Sequence, residues 1–285
     1  MGEANASKLE VIIPVKDRAQ VMPCVQSLTQ SIDKVARVIV CDGGSTEAQC
    51  VESLHELERQ DNVQVIRLPA PGFNKSRLIN QGIAQATSDC LLISDADILW
   101  NEASLDALLN HVLSDTQTIC YVRDVEESVA HSVALKRDRY TYNLHLDHDV
   151  AWVSVVPGSD QAGNYRPGCG LICARRLTLL ALGGYKEIFT GWGWEDQDLL
   201  IRASLFGIQI SATGKVLHLT HEDTARNRHH GNVEPIQTRN SNIITSMRSL
   251  AEGVLMGDLQ MEAVIEPKPY VIRVQLPESL GYEMA

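Results

Sequence analysis

Two carboxylates end an apolar run at Ile93-Ser94-Asp95-Ala96-Asp97. At i and i+2 they lie on one side of an extended backbone. Hard oxygen ligands at a strand end suit a divalent cation, Mn2+ or Mg2+, which can in turn hold a diphosphate. A helix cap followed by a turn aspartate would give the same letters. A second group follows at His218-Leu219-Thr220-His221-Glu222-Asp223. Either histidine can supply an imidazole ligand, and a nitrogen added to carboxylates favours Mn2+ over Mg2+. The later pair His229-His230 reads as surface histidines.

The third string, Gly191-Trp192-Gly193-Trp194-Glu195-Asp196-Gln197-Asp198, places two tryptophans and two glycines in a loop and three acids in a first helical turn. Aromatic faces stack on sugar rings. The acids suit the positive end of the helix dipole, and one of them can instead act as a general base. The fourth string runs Val38-Ile39-Val40-Cys41-Asp42-Gly43-Gly44-Ser45-Thr46. Its glycines allow a tight turn, Ser45 can cap a helix, and Asp42 can accept hydrogen bonds from a nucleoside. A plain strand-to-helix turn has the same sequence. Neither a dinucleotide-binding glycine fingerprint nor a phosphate-cradling Gly-Lys-Ser/Thr loop is present.

These strings need strand ends to carry them. Apolar runs at Leu9–Ile13, Ala36–Cys41, Val63–Leu68, Cys90–Ser94 and Thr118–Val122 read as strands. Between them, Leu78, Ile79, Gly82, Ile83 and Ala86 fall on one helical stripe, as do Leu105, Leu108, Leu109 and Val112. This alternation predicts an α/β fold with a mainly parallel, doubly wound sheet flanked by helices, its ligands at the carboxyl ends of the strands. Residues 124–165 are charged and aromatic, with a helix expected near Ala134–Leu144. Order returns with a strand at Gly170–Ala174, a helix to Leu182, a Gly-Gly turn, a helix from Glu195 to about Phe206, and a strand over 215–221. No strong periodicity follows Val233, and Pro267 with Pro269 makes the tail a poor helix.

The chain has 285 residues with 25 basic against 36 acidic side chains, a net charge of −11. That balance lacks the electrostatic footprint of a nucleic-acid binder. No stretch reaches the ~18 apolar residues of a spanning helix. The opening MGEANASKLE has no apolar core for a secretory signal. Seven scattered cysteines, mostly inside apolar runs, read as reduced thiols of a cytoplasmic protein. Any membrane association would then run through partners, and an oligomer is allowed.

Taken in order, Ile12-Ile13-Pro14-Val15, the Asp42 turn, Asn74-Lys75-Ser76-Arg77 and Asp95-Ala96-Asp97 resemble the nucleotide-sugar half of a GT-A glycosyltransferase of the family 2 type. Gly191-Trp192-Gly193-Trp194-Glu195-Asp196 resembles the C-terminal loop of β-1,4-galactosyltransferases and of bacterial capsule and chondroitin-type polymerase domains. Trp194 departs from the pattern, standing where a glycine often sits. The resemblance implies a single domain whose residues 1–123 bind the nucleotide sugar and whose residues 124–232 bind the acceptor and catalyse. Residues 233–285 then form a C-terminal extension. It further implies an inverting enzyme moving a hexose or N-acetylhexosamine from a UDP-sugar to a hydroxyl of a glycan, lipid-linked or other acceptor. By the same resemblance Pro14, Asp42, Asn74, Arg77, Asp95, Ala96 and Asp97 would serve the donor. Asp97 with His218 or His221 would bind Mn2+ or Mg2+. Asp196 would be the base, Glu195 would orient the acceptor, and Trp192, Gly193 and Trp194 would line its site. A sugar nucleotidyltransferase is the rival enzyme, but Pro14–Gln20 lacks the glycine-rich loop it needs. An inactive carbohydrate-binding protein is the rival without catalysis.

Overall fold

A computed structural model of the chain describes residues 8–31, 33–129, 139–158, 164–222, 225–231, 233–259 and 270–280. Apolar strands β1 (Leu9–Val15), β2 (Val35–Asp42), β3 (Val63–Arg67) and β4 (Cys90–Ile93) pair in parallel, in the spatial order β3-β2-β1-β4. The sheet continues through β9 (Tyr165–Arg175), β6 (Thr118–Glu127), β10 (Gln209–His218) and the short β5 (Ile98–Leu99). Strand β9 runs antiparallel to both β4 and β6, and β5 runs antiparallel to β10. The expected mainly parallel sheet is therefore parallel in its first half and mixed beyond β4.

Alternate side chains on each strand feed opposite faces. Val11, Ile13, Val38, Val40 and Leu92 pack against α1 (Val21–Thr29), α2 (Ala48–Leu57) and α4 (Glu102–Ser114). Ile12, Ile39, Leu91 and Ile172 pack against α3 (Lys75–Gln85), α5 (Arg176–Ala181) and α6 (Glu195–Leu205). Helix α3 presses closely on β1, because a Cβ at Gly82 would lie 2.3 Å from Ile12. Its N-terminus is capped by Asn74, whose Oδ1 accepts from the Arg77 amide at 2.9 Å.

A second sheet, ordered β11-β8-β7, is built from β7 (Tyr140–Asp147), β8 (Val150–Pro157) and β11 (Val271–Gln275). Its inner face closes a third core with α6 and with α7 (Pro235–Ala251), where Trp194, Val153, Ile201, Ile243 and Met247 are buried together. Two sequence expectations fail here. Of the expected Ala134–Leu144 helix, residues 134–138 lie outside the described residues, Arg139 is not helical, and the rest, from Tyr140 onward, is strand. The segment after Val233, read as lacking periodicity, forms the seventeen-residue α7. The strand expected over 215–221 begins earlier and stops at His218, leaving His221 in a loop. Pro267 and Pro269 lie outside the described residues. The 123/124 boundary falls inside β6, so the two halves share one sheet.

Candidate active site

The carboxyl end of β4 opens into the Asp95-Ala96-Asp97 turn, and hydrogen bonds fix its path. The Ser94 amide donates to Ile12 O at 3.0 Å, extending the parallel ladder, and Leu219 N donates to Asp97 O at 2.8 Å. Beneath the turn, Trp100 Nε1 donates to Ser94 Oγ, which donates to Asp95 O, both at 2.9 Å. Strand register then brings in the histidines. His218 pairs with Ile98 on β5 and with Glu127 on β6.

Asp97, His218 and His221 consequently face one another, with one ligand atom from each within 4.8 Å of the others. His218 Nε2 is 3.5 Å from Asp97 Oδ1, and His221 Nε2 is 3.3 Å from Asp97 Oδ2. Behind the cluster, His218 Nδ1 lies 2.7 Å from Glu127 Oε2. Glu127 also accepts from Arg166 Nε at 2.7 Å and Thr220 Oγ1 at 2.9 Å. Burial alone would raise the Asp97 carboxyl, but the two histidines beside it hold it well below the usual carboxylate range. For Glu127, burial is likewise outweighed by His218 and Arg166, leaving it at about 2. One acid and two imidazoles, one of them backed by a buried carboxylate, form a donor set suited to a first-row divalent ion.

The opposite wall comes from the loop before α6. Trp194 caps that helix in a left-handed conformation, φ 79°, which a bulky residue holds only where its surroundings impose it. The surroundings are α7. Asn242 Nδ2 donates to Gly193 O at 2.8 Å and Thr190 O at 3.1 Å, and Thr238 Oγ1 donates to Trp192 O at 3.1 Å. Glu195 and Asp196 leave this loop into the first turn of α6. Burial, then the neighbouring Glu195 charge, push the Asp196 carboxyl up to about 7, with Lys75 opposing. Asp198 behaves differently. It turns away from the cavity wall and is fully buried, held by Arg202 Nε at 2.7 Å, Ser246 Oγ at 2.8 Å and Lys186 Nζ at 3.4 Å.

Between the walls lies a cavity of about 280 Å³. Pro14, Asp95, Ala96, Asp97, His218, His221, Trp192, Gly193, Trp194, Glu195 and Asp196 all line it. Asp42, Asn74 and Arg77 do not. Asp42 spends its carboxylate on its own turn, accepting from Ser45 Oγ at 2.6 Å and from Arg67 Nη1 at 3.5 Å. Asn74 caps α3 and donates to Glu187 O at 2.7 Å. The Arg77 amide is that cap's donor.

Sequence reasoning missed other lining residues. Lys75 sits inside a quoted motif but drew no role; its Nζ is 2.8 Å from Asp95 Oδ1 and 3.1 Å from Glu195 Oε1. Burial would lower its pKa, yet those carboxylates raise it well above the ordinary lysine value. His229, expected at the surface, lines the cavity with its Nε2 3.5 Å from Asp17 and its ring centroid 6.5 Å from that of Phe73. Arg226 lies over the Trp192 ring, 4.9 Å from its centroid. In all, seven lysine and arginine residues line the cavity against four carboxylates. A chain of net charge −11 thus concentrates positive charge in this one place, as an anionic ligand requires.

Comparison with known proteins bears on this arrangement. The profile of glycosyl transferase family 2 matches residues 10–167, and one described as the N-terminal domain of galactosyltransferase matches residues 163–225. Chondroitin sulfate synthase 3 of Mus musculus is 22% identical over 235 residues, covering 78% of this chain and 25% of that protein. A pre-mycofactocin glycosyltransferase of Mycobacterium tuberculosis is 28% identical over 193 residues, covering 67% of this chain and 38% of that protein. The chain therefore spans between a quarter and two fifths of the length of these curated relatives. Among solved structures, GalNAc-T7 with UDP, GalNAc and Mn2+ superposes at a TM-score of 0.59, with 16% identity, over 86% of this chain and 48% of that one. The mannosyltransferase PcManGT from Pyrobaculum calidifontis, in complex with GDP-Man and Mn2+, superposes at 0.52, with 17% identity, over 86% and 64%. At these identities the likeness shows a shared fold. No described helix is long and apolar enough to cross a membrane.

Proposed function

Because the chain belongs to glycosyl transferase family 2 and carries the GT-A fold, we propose that it transfers a hexose or N-acetylhexosamine from a UDP-sugar to an acceptor hydroxyl with inversion. One observation carries this reading. A single cavity has the Asp97–His218–His221 cluster on one wall and the acidic pair Glu195–Asp196 on the other, with cations between them. Asp97, His218 and His221 would hold Mn2+ or Mg2+. Such an ion, when bound, offsets negative charge on a diphosphate.

The chain's own groups account for the rest. Arg18, Arg166 and Arg226 line the cavity where a diphosphate's charge needs opposing. Trp192 presents an aromatic face to the acceptor sugar. Glu195, held by Lys75, orients the acceptor, and Asp196 takes the proton from its hydroxyl. As that oxygen forms its bond to the anomeric carbon, the bond to the diphosphate oxygen breaks on the opposite face. The electron pair leaves with UDP, and the configuration inverts. A pKa near 7 suits Asp196 to this task, since a base should titrate near working pH.

A screen of UDP-sugars for Mn2+-dependent UDP release tests the proposal. Release that depends on both one donor and the metal is expected. No release from any UDP-sugar, or full release in EDTA, would overturn it.

A further inference from the structure

We propose that Glu127 is a positioning residue that fixes the tautomer of His218, making its Nε2 the metal-facing nitrogen, and that it joins the metal cluster to Arg166 on the cavity wall. The inference rests on the reading of Asp97, His218 and His221 as metal ligands.

Glu127 ends β6, and its side chain is wholly shielded from solvent. Three groups converge on it: His218 Nδ1 and Thr220 Oγ1 on Oε2, and Arg166 Nε on Oε1. An ionised carboxylate can only accept hydrogen bonds. The hydrogen of a neutral His218 ring must therefore sit on Nδ1, and its lone pair on Nε2, the nitrogen that faces Asp97. The opposite tautomer would set a lone pair only 2.7 Å from the Glu127 carboxylate, whereas Nε2 stands 3.5 Å from Asp97 Oδ1, beyond a good hydrogen bond. Strand register enforces the meeting, since Glu127 and His218 are direct partners on β6 and β10.

His221 is held differently. Its Nδ1 donates to the backbone carbonyl of Glu222 at 2.8 Å, a neutral acceptor. The two imidazoles are thus unequal, one backed by a buried carboxylate and the other by a neutral carbonyl. Arg166 supplies the balancing charge to Glu127 and also lines the cavity, so one buried carboxylate touches both the ligand-bearing ring and a cation of the anion-binding wall.

The test is a Mn2+ titration in the presence of UDP, followed by electron paramagnetic resonance of the free ion. It compares the parent, Glu127→Gln, His218→Ala and the double variant, each checked for folding by thermal melting. Glutamine keeps the shape but cannot accept from His218 and Arg166 through both of its terminal atoms. A 10–100-fold loss of Mn2+ affinity is expected in Glu127→Gln. The double variant should then lose little beyond His218→Ala alone. Parent-like affinity in a folded Glu127→Gln protein, or losses that add in full, would overturn the role of Glu127 and leave the metal reading standing. A parent that binds no Mn2+ would overturn the metal reading and this inference with it. Should Glu127→Gln fail to fold, nitrogen NMR of the unmodified metal-free protein, above the titration of the ring, reads the tautomer directly. A proton on Nδ1 of His218 is expected, and one on Nε2 would overturn the proposal.

Discussion

Lys75 meets Glu195 at 3.1 Å while holding Asp95 at 2.8 Å, so one lysine spans from the turn after β4 to the first turn of α6. It is also the cation that restrains the pKa of Asp196. In Lys75→Gln that restraint is lost, and Asp196 should titrate higher still. A base works only when ionised, so the acidic limb of the kcat/KM profile should move to higher pH and the rate at pH 7 should fall. A pH–rate series on the two proteins checks this, and an unmoved limb would remove Lys75 from the account.

Asp196 should also weaken the fold. Burial and the Glu195 charge push its carboxyl up to about 7 in the folded protein, against 3.8 for a free aspartate side chain. Between those values the folded chain holds a proton that the unfolded chain has released, so stability falls as pH rises through that window. Asp196→Asn removes the penalty. The variant should therefore melt higher than the parent at pH 8 and about equally at pH 4. Equal melting curves at both pH values would mean that burial does not strain this carboxylate.

The neighbouring Asp198 should show the opposite balance. Among first-turn acids the sequence suggests only a helix-dipole effect of roughly 0.3–1 kcal/mol. The structure instead buries Asp198 with Arg202 and Lys186, both cations themselves buried. Asp198→Asn takes away the carboxylate that both cations contact, a loss on the order of 3–5 kcal/mol. Denaturant unfolding should record that loss, while kcat per folded molecule stays close to the parent value.

The Asp97–His218–His221 cluster was legible because strand ends advertise themselves. An apolar run closing on Asp95-Ala96-Asp97 places its carboxylates by backbone geometry alone, and His218 likewise ends a strand that His221 follows. Glu127 was not legible, since only the β6–β10 register brings it to a histidine 91 positions away. Helix α7 escaped notice for a chemical reason. Its buried positions have helical spacing but include Arg239, Asn242 and Ser246, which carry little apolar contrast. Strand β7 was misread although its period was visible. Tyr142 and Leu144 turn inward, while Asn143 and His145 are exposed. Lys75 stood inside a recognised motif, but its role depends on Glu195, 120 positions away.

Removing the metal site should separate binding from chemistry. Asp97→Ala deletes the acid that both histidines face. Transfer should be lost, and UDP binding in Mn2+ should weaken. EDTA should do the same to the parent protein, while calorimetry without metal should show similar UDP affinity for parent and variant. Full transfer by the variant would exclude Asp97 as a ligand.

The most direct measurement is the turnover of Asp196→Asn with donor, acceptor and Mn2+ at saturation. Asparagine keeps the shape and the hydrogen bonding but cannot take a proton. Loss of a general base costs ~10²–10⁴ in rate. A fall in kcat of that size is expected, with UDP and Mn2+ affinities nearly unchanged. Near-normal kcat in the folded variant would contradict the assignment of Asp196 as the base.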